Sequence, residues 1–202
     1  MQAVTARKGG RQRISNIRRR ELAEATLLTL QAHGFQGTTV QRVSEQAGMS
    51  PGLVHHYFRT KDDMLEAAIR LTNARITEAV IARLHRSKTP RERLVAVIEG
   101  NFAPDIFDQG VVQAWASCCG AAAFDARFAR VLHMIQRRLR SNLIHSLRSL
   151  LAPDHAEIVA DGLVAMIDGT WLGCALASGP LDRTKALRPI WRYLDASLRD
   201  AE

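Results

Sequence analysis

Apolar residues recur along this chain at intervals of three and four positions, which is the spacing of one face of an α-helix. The first stripe predicts a helix over residues 18–33 and consists of Leu22, Ala25, Thr26 and Leu30. Gly34 follows at the position where glycine commonly ends a helix in the left-handed conformation. No stretch of the sequence alternates apolar and polar residues in the manner of a strand, so the predicted fold class is all-α.

Two short helices are predicted next from their capping residues. Thr39 is placed to cap a helix over residues 40–47, and Gly48 is placed to end it. Ser50 can cap the following helix, where Pro51 occupies a first position that needs no N–H donor. A longer helix followed by two short helices across a tight turn is typical of a helix-turn-helix, an element that inserts into the major groove of DNA.

Longer helices follow and predict a second, larger domain. A helix over residues 61–85 can act as a lever between the two domains. Later helices are predicted from Pro90, from Pro104 and over residues 124–151, 155–177 and 183–198, with a kink or a later start at Pro189. The predicted organisation is a flexible basic arm (1–15), a three-helix domain with the helix-turn-helix (16–76) and a larger helical domain (77–202).

Residues 158–177 are apolar on more than one face of their predicted helix. A helix of this kind must be covered on both sides. One side can pack within its own domain and the same helix of a second subunit can cover the other, whereas a central core helix in a monomer is the alternative. The predicted dimer contacts are Gly169, Gly173 and Leu176.

The net charge of +8 is concentrated at one end, since residues 1–20 contain seven basic residues and no acid. Such an arm suits the phosphate backbone of DNA, because neutralised phosphates release condensed counterions. A solvated tail is one alternative. A nonspecific architectural DNA-binding protein is another, but it does not explain the large apolar C-terminal half.

Motifs of other protein classes are not found in the sequence. The absence of a phosphate-binding glycine loop, an HExxH motif and a nucleophile elbow argues against an enzyme, and no cofactor is expected. The three cysteines lack metal-ligand spacing, and adjacent His55 and His56 point in different directions on a helix, so no metal site is predicted. Cys118 and Cys119 could form a redox-active disulfide or serve as small buried residues. Without a signal-like or membrane-spanning apolar run, a cytoplasmic location with no membrane partner is expected.

The stretch 38–65 closely resembles the signature of the TetR family of transcription repressors. Ala47-Gly48, Ser50-Pro51-Gly52, Phe58 and Lys61 all fall in register with that signature. The resemblance implies a homodimer that binds a palindromic double-stranded DNA operator and responds to a small-molecule effector. It also implies that residues 16–76 are the DNA-binding domain and that residues 77–202 are the helical ligand-binding and dimerisation domain.

The DNA-contacting residues follow from the predicted third helix and from the resemblance. Val54 and Phe58 are expected to face inward, which leaves the other side chains of the helix to face DNA. Thr39 and Lys61 lie at predicted helix N-termini, where the helix dipole favours phosphate. The resemblance places Gln41 where it can read a base. The predicted DNA-binding set is Thr39, Gln41, Ser50, Gly52, Leu53, His55, His56, Tyr57 and Lys61.

A closer resemblance, to the BetI-type subgroup of choline-responsive repressors of glycine betaine synthesis genes, runs along most of the chain. It is carried by segments 17–22, 55–59, 100–102, 138–143, 167–172 and 179–182. Quaternary ammonium ligands are bound by aromatic faces, so the ligand set predicted is Phe102, Phe107, Trp115, Phe124 and Trp171, with Asp168 as counter-charge. Ordinary core packing is the alternative for these rings. A different effector is the alternative to choline, because segment 115–120 is poorer in aromatic residues than the subgroup.

Overall fold

A computed structural model describes residues 2–199 of the chain and the side chains of residues 13–199. The part described consists of nine helices without a strand, which confirms the all-α prediction. Their bounds are α1 Gln2–Gly37, α2 Val40–Ala47, α3 Pro51–Tyr57, α4 Lys61–Leu84, α5 Pro90–Asn101, α6 Gln109–Ala122, α7 Ala126–Leu147, α8 Pro153–Leu176 and α9 Arg183–Arg199.

The chain divides into two compact units between Leu71 and Thr72, inside α4. In the N-terminal unit, α2 packs against α1 and α3. The buried core of this unit draws residues from all four of its helices and the segment after α3, namely Leu22, Ala25, Val43, Val54, Phe58 and Met64. The apolar stripe of α1 therefore supports the two short helices, which are too short to be stable alone.

The C-terminal unit is a bundle in which α8 contacts α6, α7 and α9, while α7 also contacts α5 and α6. Its largest fully buried side chains include Leu94, Ile98, Phe128, Leu143, Leu163 and Ile190. Gly100 of α5 lies against α4, because a Cβ there would stand 2.8 Å from the Cα of Val80. This crossing therefore requires a glycine.

Several helix ends differ from the prediction. Helix α6 begins at Gln109 and not at Pro104, since Asp108 caps it by accepting a 2.9 Å hydrogen bond from the Val111 N–H. Helix α7 is shorter than the predicted 124–151, and α9 continues through Pro189. Gly34 has the expected positive φ of 67°, although helix resumes after it as far as Gly37.

Helix α1 starts well before the predicted residue 18. The flexible arm predicted over residues 1–15 falls largely on residues whose side chains lie outside those described.

Helix α8 is, by length and composition alone, apolar enough to cross a membrane, and a core helix of a soluble protein can pass the same test. Only 28% of its most apolar stretch is buried within the chain. Much of its apolar surface therefore faces outward in a single copy.

Candidate DNA-binding and effector-binding sites

The turn between α2 and α3 sets the position of the third helix. Gly48 adopts the left-handed conformation (φ 62°, ψ 33°), and its N–H donates to the Glu45 carbonyl at 3.1 Å. The Met49 N–H donates to the Ser44 carbonyl at 2.9 Å. The end of α2 is thereby closed, and buried Val54 anchors α3 to the core.

Thr39 and Ser50 are both exposed and both cap a helix, as predicted from the sequence. The Thr39 hydroxyl accepts from the Arg42 N–H, and the Ser50 hydroxyl accepts from the Leu53 N–H, each at 3.3 Å. Each hydroxyl therefore orients a helix N-terminus, and its own proton can still be donated to an acceptor outside the chain.

The outward side of α3, called here the α3 face, consists of Gly52, Leu53, His55 and His56, all of which are exposed. A Cβ added at Gly52 would meet nothing within 4 Å, so the chain itself does not require glycine there. Tyr57 is different, because it is half-buried, packs against the core and meets the His56 ring edge-on at 5.1 Å. Only part of the Tyr57 side chain is left to contact DNA.

Gln41 and Lys61 each have a partner inside the N-terminal unit. The Gln41 amide donates to the Glu45 carboxylate at 2.6 Å and remains exposed. The Lys61 ammonium donates to the Gln36 carbonyl at 3.3 Å and lies 5.1 Å from the centre of the Phe35 ring. Lys61 therefore caps the C-terminal end of α1, a role that sequence spacing did not reveal.

The three consecutive arginines of the basic stretch 1–20, which follow the predicted arm of residues 1–15, have partners within the same unit. Arg18 pairs with Glu21 at 2.7 Å and Arg20 with Glu24 at 3.4 Å. Arg19 donates to the Tyr57 carbonyl at 3.3 Å. The other basic side chains of the arm include Arg7, Lys8 and Arg11, which lie outside the described side chains.

Four of the five predicted ligand-binding aromatic residues form one cluster in the C-terminal unit, called here the aromatic cluster. Ring centres are 5.0 Å apart for Phe102 and Phe107, and 6.2, 5.5 and 6.2 Å from Trp171 to Phe102, Phe107 and Trp115. Trp115 is its half-buried member, and the other three are buried. Phe124 does not join it, because it lies in the turn after α6 and is 95% exposed.

Asp168 lies one helical turn before Trp171 on α8 and is half-buried. Its carboxylate accepts a 2.8 Å hydrogen bond from the Gln136 amide of α7, and no cationic side chain in the described part of the chain pairs with it. Burial raises the pKa of Asp168, and the Gln136 hydrogen bond offsets only part of that shift. The result is a poorly solvated carboxyl group three residues before Trp171 on the same helix, and a cation bound there would offset the cost of its burial.

Cys119 of α6 lies close enough to Asp168 for the two groups to interact electrostatically. The pKa of the Cys119 thiol is raised to about 11, first by burial and then by Asp168. Burial, with a smaller effect from Cys119, raises the pKa of Cys118 to about 12. Both residues are free thiols here, and they stay protonated near neutral pH.

The outward side of α8, called here the α8 face, is apolar except for Asp161, which pairs with Arg140 of α7. Its exposed residues recur at intervals of three and four and include Ile158, Ala165, Gly169, Leu172 and Leu176. Leu176 is 77% exposed, and a Cβ at Gly169 or Gly173 would meet nothing within 4 Å. The three predicted dimer residues thus lie in the open in a single copy.

Comparison with known proteins agrees with the division of the chain into two units between Leu71 and Thr72. Residues 22–68 match the model of bacterial regulatory proteins of the tetR family, and residues 90–199 match that of the BetI-type transcriptional repressor C-terminal domain. The chain is 35% identical to the HTH-type transcriptional regulator BetI of Escherichia coli K12, with 86% of this chain and 90% of that protein covered. It is 38% identical to the BetI regulator of Burkholderia ambifaria MC40-6, with 90% and 94% covered.

Two solved structures share the fold. A transcriptional regulator from Pseudomonas aeruginosa PAO1 is 27% identical, with 93% of this chain and 95% of that chain covered and a TM-score of 0.75. A regulator from Saccharomonospora viridis, crystallised in complex with choline, is 18% identical, with 89% and 96% covered and a TM-score of 0.79.

Proposed function

Because the chain belongs to the TetR family of bacterial regulatory proteins and carries a BetI-type C-terminal domain, we propose that it is a homodimeric repressor released from a palindromic operator by choline or a related organic cation. Its relatives are transcriptional regulators, so the chain is a DNA-binding regulator and not an enzyme. Control of choline and glycine betaine genes in the cytoplasm is the physiological role that this proposal implies.

The α3 face supports the DNA-binding part of the proposal. Exposed histidines can donate to phosphates or base edges, and Leu53 can contact a thymine methyl group. Gly52 allows the DNA backbone to come close to α3, since no side chain intervenes. Gln41, exposed on α2, is the second candidate reader of a base.

The α8 face supports the dimer. Glycine weakens a helix by about 1 kcal/mol relative to alanine, and nothing in a single copy needs glycine at positions 169 and 173. Two such faces can approach closely across a two-fold axis and cover each other's leucines. A two-fold dimer then presents two copies of α3 to the two halves of a palindrome.

The observation that carries the effector proposal is Asp168, a half-buried carboxylate without a cationic partner among the described residues. A quaternary ammonium ion can restore its charge balance and lie against an aromatic face at the same time. Trp115 is the half-buried ring, and Cys119 one turn later on α6 faces Asp168. The region between Trp115 and Asp168 is therefore the proposed cation site.

Release requires that the cation bind the DNA-incompetent conformation more tightly than the competent one, because equal affinity shifts no equilibrium. Helix α4 is the covalent link between the two units, since their boundary falls inside it. A change that begins in the C-terminal unit can reach the helix-turn-helix through α4.

The test is calorimetry of choline binding, followed by release of a DNA duplex that the chain has selected from a random pool. Choline should bind and weaken DNA affinity, and zwitterionic glycine betaine should bind less well because its carboxylate is repelled by Asp168. Asp168→Asn should lower choline affinity about tenfold, comparable to the loss of one charged contact in a poorly solvated site.

The matched control is Glu78→Gln, which removes one exposed acid from the same unit and should leave choline affinity unchanged. Absence of heat and of DNA release at millimolar choline would refute the effector proposal but would leave DNA binding intact.

A further inference from the structure

Arg19 differs from the basic residues on either side of it. Arg18 and Arg20 reach acids three and four positions further along α1, whereas the positions three and four after Arg19 are Leu22 and Ala23. Its guanidinium therefore turns toward the core side of the helix-turn-helix. It makes two contacts there, both with the C-terminal end of α3.

The first contact is a hydrogen bond from Arg19 Nη1 to the carbonyl oxygen of Tyr57, at 3.3 Å. Tyr57 is the last residue of α3, and its carbonyl has no partner within the helix. The second contact is with Phe58, since the guanidinium carbon lies 4.7 Å from the centre of that buried ring. A planar guanidinium can donate from its edge and stack with its face.

Arg19 lines a groove of about 440 Å³ together with Arg20 and Arg70 and with two acids of α4, Asp63 and Glu66. The groove therefore carries charges of both signs, and the role of Arg19 rests on its two contacts alone. Both contacts lead to the helix that carries the candidate DNA-contacting residues.

Apart from Arg19, the restraints on this end of α3 are apolar, since Tyr57 packs against the core and Phe58, directly after the helix, is buried in it. Helix α3 itself has seven residues, and among them only Val54 is fully buried, so Arg19 adds the polar restraint at this end. A small rotation about that anchor would move Leu53, His55 and His56 together relative to a base pair. We infer that Arg19 is a positioning residue for sequence discrimination, which holds the C-terminal end of α3 so that the α3 face meets base edges in one orientation. This inference rests on the proposed DNA-binding role of α3.

The experiment compares Arg19→Met with Arg70→Met, a variant that removes an exposed arginine of α4 paired with Glu66. Affinity is measured for a palindromic duplex selected by the parent chain and for a scrambled duplex of equal length and composition, across a range of salt. Arg19→Met should lower the selected-to-scrambled ratio about tenfold, the scale of one charge-assisted hydrogen bond. The affinity of Arg19→Met for the scrambled duplex and the salt dependence of that affinity should equal those of the parent. Arg70→Met should change neither of these quantities, nor the selected-to-scrambled ratio.

Hydrogen exchange of the DNA-free protein gives a second readout. The amides of residues 53–58 should exchange several-fold faster in Arg19→Met, while those of α1 keep the parent rate. Arg19→Gln, which keeps a polar surface side chain, should show the same pattern.

Equal losses on both duplexes, with a salt slope reduced by about one contact, would instead make Arg19 a phosphate ligand and overturn the inference. So would unchanged exchange in residues 53–58. If the chain fails to discriminate between the duplexes at all, the proposed function fails and not this inference alone.

Discussion

Two outward helix faces of this molecule differ in their chemistry. The α3 face has imidazoles, one leucine and a glycine, whereas the α8 face has leucines, an isoleucine and small residues. Hydrogen-bond donors suit the edges of bases and phosphates, and an apolar stripe with glycines suits close approach of another helix. The exposed glycines of both helices are not required by the chain itself, which supports the proposal that each face is shaped for a partner.

The largest effect is expected from a charge placed in the middle of the α8 face. Leu172→Arg should dissociate the dimer, because a buried unpaired cation is strongly disfavoured. Operator affinity should then fall by at least about a hundredfold, since the two half-sites no longer bind as one unit. Sedimentation velocity and fluorescence anisotropy measure the two effects.

The matched control for this change is Ile81→Arg. Ile81 of α4 is 47% exposed, against 42% for Leu172, and it lies on a different helix. It should leave both the dimer and operator affinity as in the parent. A dimer that tolerates Leu172→Arg would place the interface elsewhere.

A smaller effect is expected on the DNA-reading side. Gln41→Ala should lower discrimination among operator variants about tenfold, because one base contact is worth about 1–3 kcal/mol. Gln46→Ala, an exposed glutamine of the same helix, is the control and should change discrimination little. Competition binding with single-base variants of the selected duplex would show equal effects of the two changes if α2 reads no base.

Choline affinity at the proposed effector site should change a few-fold with pH. Burial raises the pKa of Asp168, so this carboxyl gains a proton at a higher pH than an ordinary aspartate. Choline affinity should therefore fall as pH decreases through that raised pKa, and binding in this range should release protons. Calorimetry in buffers of different ionisation enthalpy measures the protons, and a pH profile in Asp168→Asn identical to the parent's would contradict the assignment.

The smallest effects concern the exposed glycines. Gly52→Ala and Gly169→Ala should each raise the free energy of unfolding of the isolated chain, by at most about 1 kcal/mol. Gly52→Ala should weaken DNA binding and leave the dimer unchanged, whereas Gly169→Ala should weaken the dimer and, through it, operator binding. Gly100→Ala should instead destabilise the chain, because the new Cβ would crowd the Val80 backbone. Urea unfolding separates these results, and destabilisation by Gly52→Ala would mean that α3 needs the glycine for itself.

Sequence spacing predicted the helix-turn-helix well because its signals are local. Thr39, Gly48, Ser50 and Pro51 each act within four residues, and each occupies the predicted place. The predicted start of α6 was wrong because the sequence has two local signals for a helix start there, Pro104 and Asp108. Helix α6 begins after Asp108. Two competing local signals cannot be ranked without the packing around them.

The contacts that give the sites their chemistry are long-range, and spacing did not reveal them. Gln136 is 32 residues from Asp168, and Arg19 is 38 residues from Tyr57. Phe124 was predicted to bind the ligand only because it is aromatic, but it lies in the turn after α6 and is exposed. One signal was available for Arg19, namely the missing acid three or four positions later.

The most direct test of the account is the mass of the complex formed by the intact chain on a palindromic duplex that it has itself selected. Analytical ultracentrifugation, with and without choline, gives that mass. We predict two chains bound to one duplex, a free dimer of the same chain, and loss of the complex when choline is added. A single chain bound per duplex with full discrimination would contradict the proposed dimer and the assignment of dimer formation to the α8 face.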